Sequence, residues 1–115
     1  MTMDIQLVHS LALAEAKAAT EAQLAKWGGD FGMCGFAWVT VTPKEKGNTK
    51  GGRAERKMLE SIGFEKDWTG KNWQLWNPAK YPGQNIDIKE AGARAYAAKM
   101  RELAGLDAWA GSRLD

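Results

Sequence analysis

The sequence holds one cysteine and one histidine, Cys34 and His9, among 115 residues. A single cysteine excludes an internal disulfide, and the pair falls short of the four ligands of a structural zinc site. A reducing compartment is the expected setting. Proline is sparse too: Pro43, Pro78 and Pro82 all stand in segments that read as loops. No apolar run approaches the roughly 18 residues of a membrane span, so no membrane partner is expected. The start Met1-Thr-Met-Asp-Ile has no basic residue ahead of an apolar run, so no secretory leader is expected either. The HExxH, GxSxG, Walker and calcium-loop patterns are all missing. These absences weigh against an enzyme and give no catalytic residue, no metal and no cofactor.

Tryptophan is abundant, with six residues. Trp38, Trp68, Trp73 and Trp76 fall in segments that read as strands. An indole buries a large area but carries an N–H that wants a partner, so such residues serve either the core or a binding surface. Charged residues make up 26% and apolar ones 44%, the balance of one soluble globular domain with a real core. Net charge is only +2. It is unevenly placed: Lys44, Lys46, Lys50, Arg53, Arg56 and Lys57 lie within one short window, opposed by Glu45 and Glu55. That window suits an anionic partner, or is simply a solvated face.

Residues 4–27 read as a long alanine-rich helix stopped by Gly28-Gly29. Leu7, Leu11, Ala14 and Ala18 form one stripe, which Val8, Ala12, Ala19 and Ala22 widen. Its length suggests packing on the domain, or beyond it on a second copy. Met33–Thr42 is the clearest strand. Phe36 and Trp38 point one way, Ala37, Val39 and Val41 the other, and two apolar faces predict a central strand covered on both sides. Arg53–Ile62 reads as a short helix in which Arg56 and Glu60 can pair. Phe64–Trp68 and Lys71–Trp76 read as a hairpin around Thr69-Gly70. Asp87-Ile-Lys-Glu90 reads as a capping box opening a helix to Ala104, with Ala93, Tyr96, Ala97, Met100, Leu103 and Ala104 as its apolar stripe. Leu106–Ala110 reads as a last strand, and Gly111–Asp115 as a tail.

After the N-terminal helix (residues 1–29) the order is β-α-β-β-α-β over residues 30–115. That predicts an α+β, ferredoxin-like antiparallel sheet with two helices on one face and strand order 4-1-3-2. The other face then needs the N-terminal helix, a second subunit or a ligand.

Three kinds of chemistry compete. His9 and Cys34 form a nucleophile pair only if the fold joins them, and no third orienting group is evident. Otherwise Cys34 is a buried inert thiol and His9 a satisfied residue. Gly47–Gly52 precedes a helix, where free amides favour anions, but a glycine loop alone is weak evidence for phosphate. On this fold the RNA recognition motif stacks bases on aromatics of its first and third strands. Phe36/Trp38 and Trp73/Trp76 occupy those strands, and the basic window can track a backbone. The consensus of that motif is absent, and packing beneath the N-terminal helix is the structural alternative.

Cys34-Gly-Phe-Ala-Trp-Val39, Gly83-Gln-Asn-Ile-Asp-Ile-Lys-Glu-Ala-Gly-Ala93 and Gly111-Ser-Arg-Leu-Asp115 together resemble a family of small proteins encoded by tailed bacteriophages. The resemblance covers about Gly32 to Asp115, with a variable middle. It implies the cytoplasm of an infected bacterium and no particular activity. Gly83-Gln-Asn85 and Gly111-Ser-Arg113 are polar and loop-like, where function often sits. Arg113 can hold a phosphate or carboxylate, or pair with Asp115 or Asp87.

The leading expectation is a non-enzymatic phage accessory protein. It binds a small, nucleotide-like anion or a host protein, and such a product can counter host defence. The expected ligand-binding residues are Lys50, Arg53, Trp73, Trp76, Tyr81, Gln84, Asn85 and Arg113. A single-stranded nucleic-acid binder is the second reading, and a small enzyme the third. A homodimer through the long helix or the open sheet face is expected. Of the tryptophans, Trp38 reads as core, Trp27 and Trp109 as packing near element ends, and Trp68, Trp73 and Trp76 as the candidate surface.

Overall fold

The computed structural model describes residues 4–30 and 32–115; the leader expectation at Met1–Met3 lies outside them. Helix α1 spans Ile5–Trp27. Asp4 caps it by accepting from the Gln6 amide, and Gly28, at φ 73°, ends it with its N–H on the Leu24 and Ala25 carbonyls. Its buried face is Val8, Ala12, Ala16 and Thr20. The expected Leu7/Leu11 stripe instead faces outward, with Leu7 50% and Leu11 40% exposed. Ala14 and Ala18 are exposed beside them, as is Ala22, while Ala19 is half-buried. The cause is a close helix crossing. A Cβ on Gly92 of the facing helix would stand 2.6 Å from Thr20 Oγ1, which leaves no room for leucine there.

That facing helix is α3, which the structure places at Ile86–Ala104; the short helix α2 spans Lys50–Ser61. Asn85 caps α3, its Oδ1 accepting from the Ile88 amide at 3.0 Å. The expected capping box therefore does not form. Asp87 sits exposed in the first turn, and Glu90 accepts from Ser112 and Arg94. The helix starts earlier because Asn85 is already held, paired to Cys34 across a β-bridge. The predicted apolar stripe stands: Ala93, Tyr96, Ala97 and Met100 are buried, with Leu103 and Ala104 packed against them. In α2 the start also moves forward, because the Thr49 hydroxyl accepts from the Gly52 amide. Arg56 does not pair with Glu60; it donates to the Glu45 and Gly52 carbonyls.

The strands are β1 (Gly35–Val41), β2 (Glu65–Lys66), β3 (Trp73–Trp76) and β4 (Ala108–Leu114). They form one antiparallel sheet in the order β2-β3-β1-β4. The last strand is longer than expected. It runs through Gly111-Ser-Arg113, because it pairs with β1 along its whole length, from Gly35 opposite Leu114 to Val41 opposite Ala108. The hairpin forms, but its strands are shorter than the expected Phe64–Trp68 and Lys71–Trp76, and residues 67–72 make a six-residue loop. Asp67 Oδ1 accepts from the Thr69 and Gly70 amides and the Thr69 hydroxyl.

The architecture is α+β: three helices, the first of them long, and a four-stranded antiparallel sheet. The helix layer differs from the expectation. α1, not α2, lies beside α3 against the sheet, and Val8, Ala12 and Ala16 share one core with Val39, Val41, Trp73 and Tyr96. α2 is too polar for that role; its only large buried side chain is Leu59. With both long helices on one side, the opposite sheet face stays open. β1 alternates accordingly: Gly35, Ala37, Val39 and Val41 are buried, while Phe36, Trp38 and Thr40 keep solvent contact. The expectation of a strand covered on both sides is thus corrected, and so is Trp38 as a core residue.

Candidate functional site

Antiparallel pairing fixes which side chains share the open face. Trp38 on β1 stands opposite Trp76 on β3 and Gly111 on β4, and Phe36 stands opposite Arg113. The Trp38 and Trp76 rings lie 4.7 Å apart, tilted by 35°. Phe36 meets Trp76 edge-on at 6.1 Å. On the other flank, a Cβ on Gly111 would stand 2.7 Å from Trp38 Nε1. Only glycine lets the indole lie down across β4. The product is an aromatic platform over the three adjoining strands, with Trp76 48% exposed and Phe36 36%. Trp76 Nε1 donates to Gln74 at 3.2 Å, so its polar edge is satisfied while about half of the side chain stays exposed. Trp109 lies at the β4 edge, with its Nε1 on Asp107 and the Arg101 guanidinium 4.1 Å from the ring. It is exposed, where packing was expected.

Cations rim this platform. The Arg113 guanidinium lies 5.7 Å from the Phe36 centroid, and Lys89 Nζ lies 5.6 Å from it. Lys89 also donates to the Gly35 carbonyl, and Arg101 to that of Ala108. Among the described residues Arg113 forms no ion pair; neither Asp115 nor Asp87 meets it. Unlike Lys89 and Arg101, it has no hydrogen-bond partner among the described residues.

The Gly83-Gln-Asn segment is built around Asp30. The Asp30 carboxylate accepts from the Gln84 and Asn85 amides at 2.9 and 3.0 Å, and from the Tyr81 hydroxyl. Partial desolvation opposes its ionisation. The Gln84, Tyr81 and Asn85 hydrogen bonds and the charge of Lys89 outweigh that and hold the carboxyl below its ordinary range. The same desolvation, then Asp30 itself, pushes the Tyr81 phenol up. Tyr81, Gln84 and Asn85 therefore anchor the start of α3, and Asn85 is fully buried. Trp73 is also core, only 3% exposed, because it stands opposite Val41 on the covered face.

Three of the six cations of the basic window, Lys44, Arg53 and Arg56, donate to backbone carbonyls. Glu55 accepts from the Lys44 and Glu45 amides, and Arg53 donates to the Asn48 carbonyl. A Cβ on Gly52 would strike the Lys46 carbonyl, so this glycine serves packing. The Glu45 carboxylate crowds Gly51 at the start of α2, a position a bound phosphate would otherwise take. Lys50 is exposed at that start.

Cys34 is exposed, against the expectation of a buried thiol, because it lies at the open start of β1. His9 Nδ1 lies 2.6 Å from Tyr96 Oη, between α1 and α3, and shares no hydrogen bond with Cys34. Among the described residues no three metal-ligating side chains cluster.

Of the eight predicted site residues, the structure brings Trp76 and Arg113 together, through Phe36. Lys50 and Arg53 lie apart at α2, and Trp73, Tyr81, Gln84 and Asn85 have structural partners. The leading set of ligand-binding residues left out Phe36, Trp38, Gly111 and Lys89, although the nucleic-acid reading had Phe36 and Trp38 on its stacking strands. The signal for the first two was present in the alternation of β1. Trp68, at the hairpin tip, is 95% exposed and touches none of this group. No protein-family model matches the chain, and neither the curated proteins nor the solved structures contain a significant match to it.

Proposed function

We propose that the open sheet face binds single-stranded nucleic acid, stacking bases on Trp38, Trp76 and Phe36 while Arg113 meets a phosphate. The observation that supports this reading is the exposed aromatic platform on adjoining central strands, laid flat by Gly111. Duplex bases hide their faces in the helical stack, whereas unpaired bases can lie on an aromatic ring. The sheet reads as a ferredoxin-like variant in which α1 has taken the position of the first crossover helix. With Arg113 and Lys89 at its rim, the site neutralises about two phosphates, so the logarithmic salt slope is about −1.4. Intrinsic tryptophan fluorescence should be quenched on adding a short single-stranded oligonucleotide at low salt, and far less by the same sequence as a duplex. Unchanged fluorescence with the single strand would falsify the reading.

A small nucleotide-like anion uses the same stacking chemistry, and it is favoured as the second reading because Arg113 is the one platform cation without a protein partner among the described residues. Mononucleotides that quench as strongly, mole for mole, as an oligonucleotide would decide for it. Silence from both would favour a host protein on this face. On the resemblance of the CGFAWV and GSRLD segments, we place the activity in the cytoplasm of a phage-infected bacterium, where a binder of this kind can counter host defence.

A further inference from the structure

β2 pairs with β3 only at Gln74 and Trp73. Among the described residues the outer edge of β3 at Leu75 and Trp76 therefore has no strand beside it. Along that edge, between α1 and the Asn77–Lys80 loop, lies a cavity of about 190 Å³. This is room for about six waters, or for one ring bearing a carboxylate. Leu13, Ile62, Leu75 and Pro78 give it apolar walls, Trp76 borders it, and His9 and Lys80 supply its charge and polarity.

The polar groups have definite roles. Tyr96 is fully buried, and among the described residues its hydroxyl meets no acceptor except His9 Nδ1. Tyr96 therefore donates, and the imidazole carries its proton on Nε2. Desolvation, then the charge of Lys80, holds His9 below its ordinary value of 6.5, so the ring is neutral at pH 7. Tyr96 from α3 and Lys80 from the loop are the titratable groups that face it. Lys80 makes no ion pair among the described residues. It is held at φ 54°, an unfavourable conformation for a residue with a Cβ, beside Asn77 at 44°. Asn77 keeps the loop in place, its side chain bonded to both the carbonyl and the amide of Tyr81.

We propose that this cavity binds a small organic anion, its carboxylate between the His9 Nε2–H and Lys80 and its ring-sized apolar body against Leu13, Ile62 and Leu75. A fixed N–H donor, one ammonium and apolar walls are the composition of a small-molecule site. A cation is disfavoured by Lys80 and by an imidazole whose outward nitrogen holds a proton. This site lies on the helix side of the sheet and shares only Trp76 with the open face, and it stands whether or not nucleic acid binds there.

His9 is the only histidine in the chain, so its imidazole signals need no assignment. The test is a pH titration of those signals by long-range proton–nitrogen NMR on the full chain. It is run with benzoate at about 20 mM, saturating for a millimolar site, and with equal chloride. Benzoate should shift the Nε2 signal saturably and raise the His9 pKa, since a bound anion favours the imidazolium. Neutral benzamide should bind more weakly. Lys80→Gln should weaken benzoate about two- to fivefold with an unchanged circular dichroism spectrum. The proposal is overturned if the His9 titration is the same in benzoate and chloride, or if benzamide binds as tightly as benzoate.

Discussion

Gly111→Val puts branched carbon where the Trp38 indole lies, and it is expected to lift that ring from β4. Overpacking of this kind costs about 1–3 kcal/mol, to be read by urea denaturation, and should lower oligonucleotide affinity as well. The two tryptophans of β3 should separate cleanly. Trp73→Ala removes a core side chain and should cost about 3–5 kcal/mol of stability. Trp76→Ala should leave the fold intact and cost about 1–3 kcal/mol of oligonucleotide binding, the worth of one stacked base. Three residues apart on one strand, the two point to opposite faces by alternation alone; which of the faces is covered follows from the pairing of Trp73 with Val41 and of Trp76 with Trp38. His9 carries a pH signature. Folded, it binds fewer protons than unfolded at pH values just below 6.5, because its folded pKa is depressed. Its contribution to stability is therefore complete above that pH and is lost as pH falls through the folded pKa. Denaturation midpoints measured from pH 7.5 down to 5 should decline, and His9→Gln should flatten that decline.

Among the elements, local chemistry was legible wherever a single residue decides it. Gly28 and Gly105 both end helices in the left-handed conformation, whereas the hairpin expected around Thr69-Gly70 closes through a longer loop held by Asp67. Caps that depend on a tertiary partner were not legible. Asp87 had the better capping sequence, yet Asn85 took the role because Asp30 and Cys34 already hold it. The buried face of α1 was not legible for a similar reason. Two apolar stripes run along that helix, and the smaller wins because α3 approaches closely at Gly92. Gly92→Val should accordingly cost more than a surface substitution, about 1–3 kcal/mol. Removing the α2 cap by Thr49→Ala should cost about 1 kcal/mol, and it should leave the sheet face unaffected in a binding assay.

At the scale of the molecule, the element order was readable because each pattern of periodicity was long and punctuated by glycine or proline. Which helix covers the sheet was not, since it depends on two helices competing for one face. Placing α1 beside α3 leaves Phe36, Trp38, Trp76 and Arg113 uncovered, and from that the proposed function follows. Among the described residues no helix is long and apolar enough to cross a membrane. The outward Leu7 and Leu11, with Ala14 and Ala18, support the proposed homodimer through α1. Light scattering should give twice the chain mass, and Leu7→Asp with Leu11→Asp should return it to one; a wild-type monomer would contradict the dimer. The most direct test of the central claim is fluorescence anisotropy of a labelled single-stranded oligonucleotide, comparing the wild-type chain with the Trp38→Ala/Trp76→Ala double variant. Tight binding by the wild type, weakened about a hundredfold in the folded variant by loss of two stacked bases, is the predicted result. Equal affinity in the two, or no binding by the wild type at low salt, would contradict the assignment of this face.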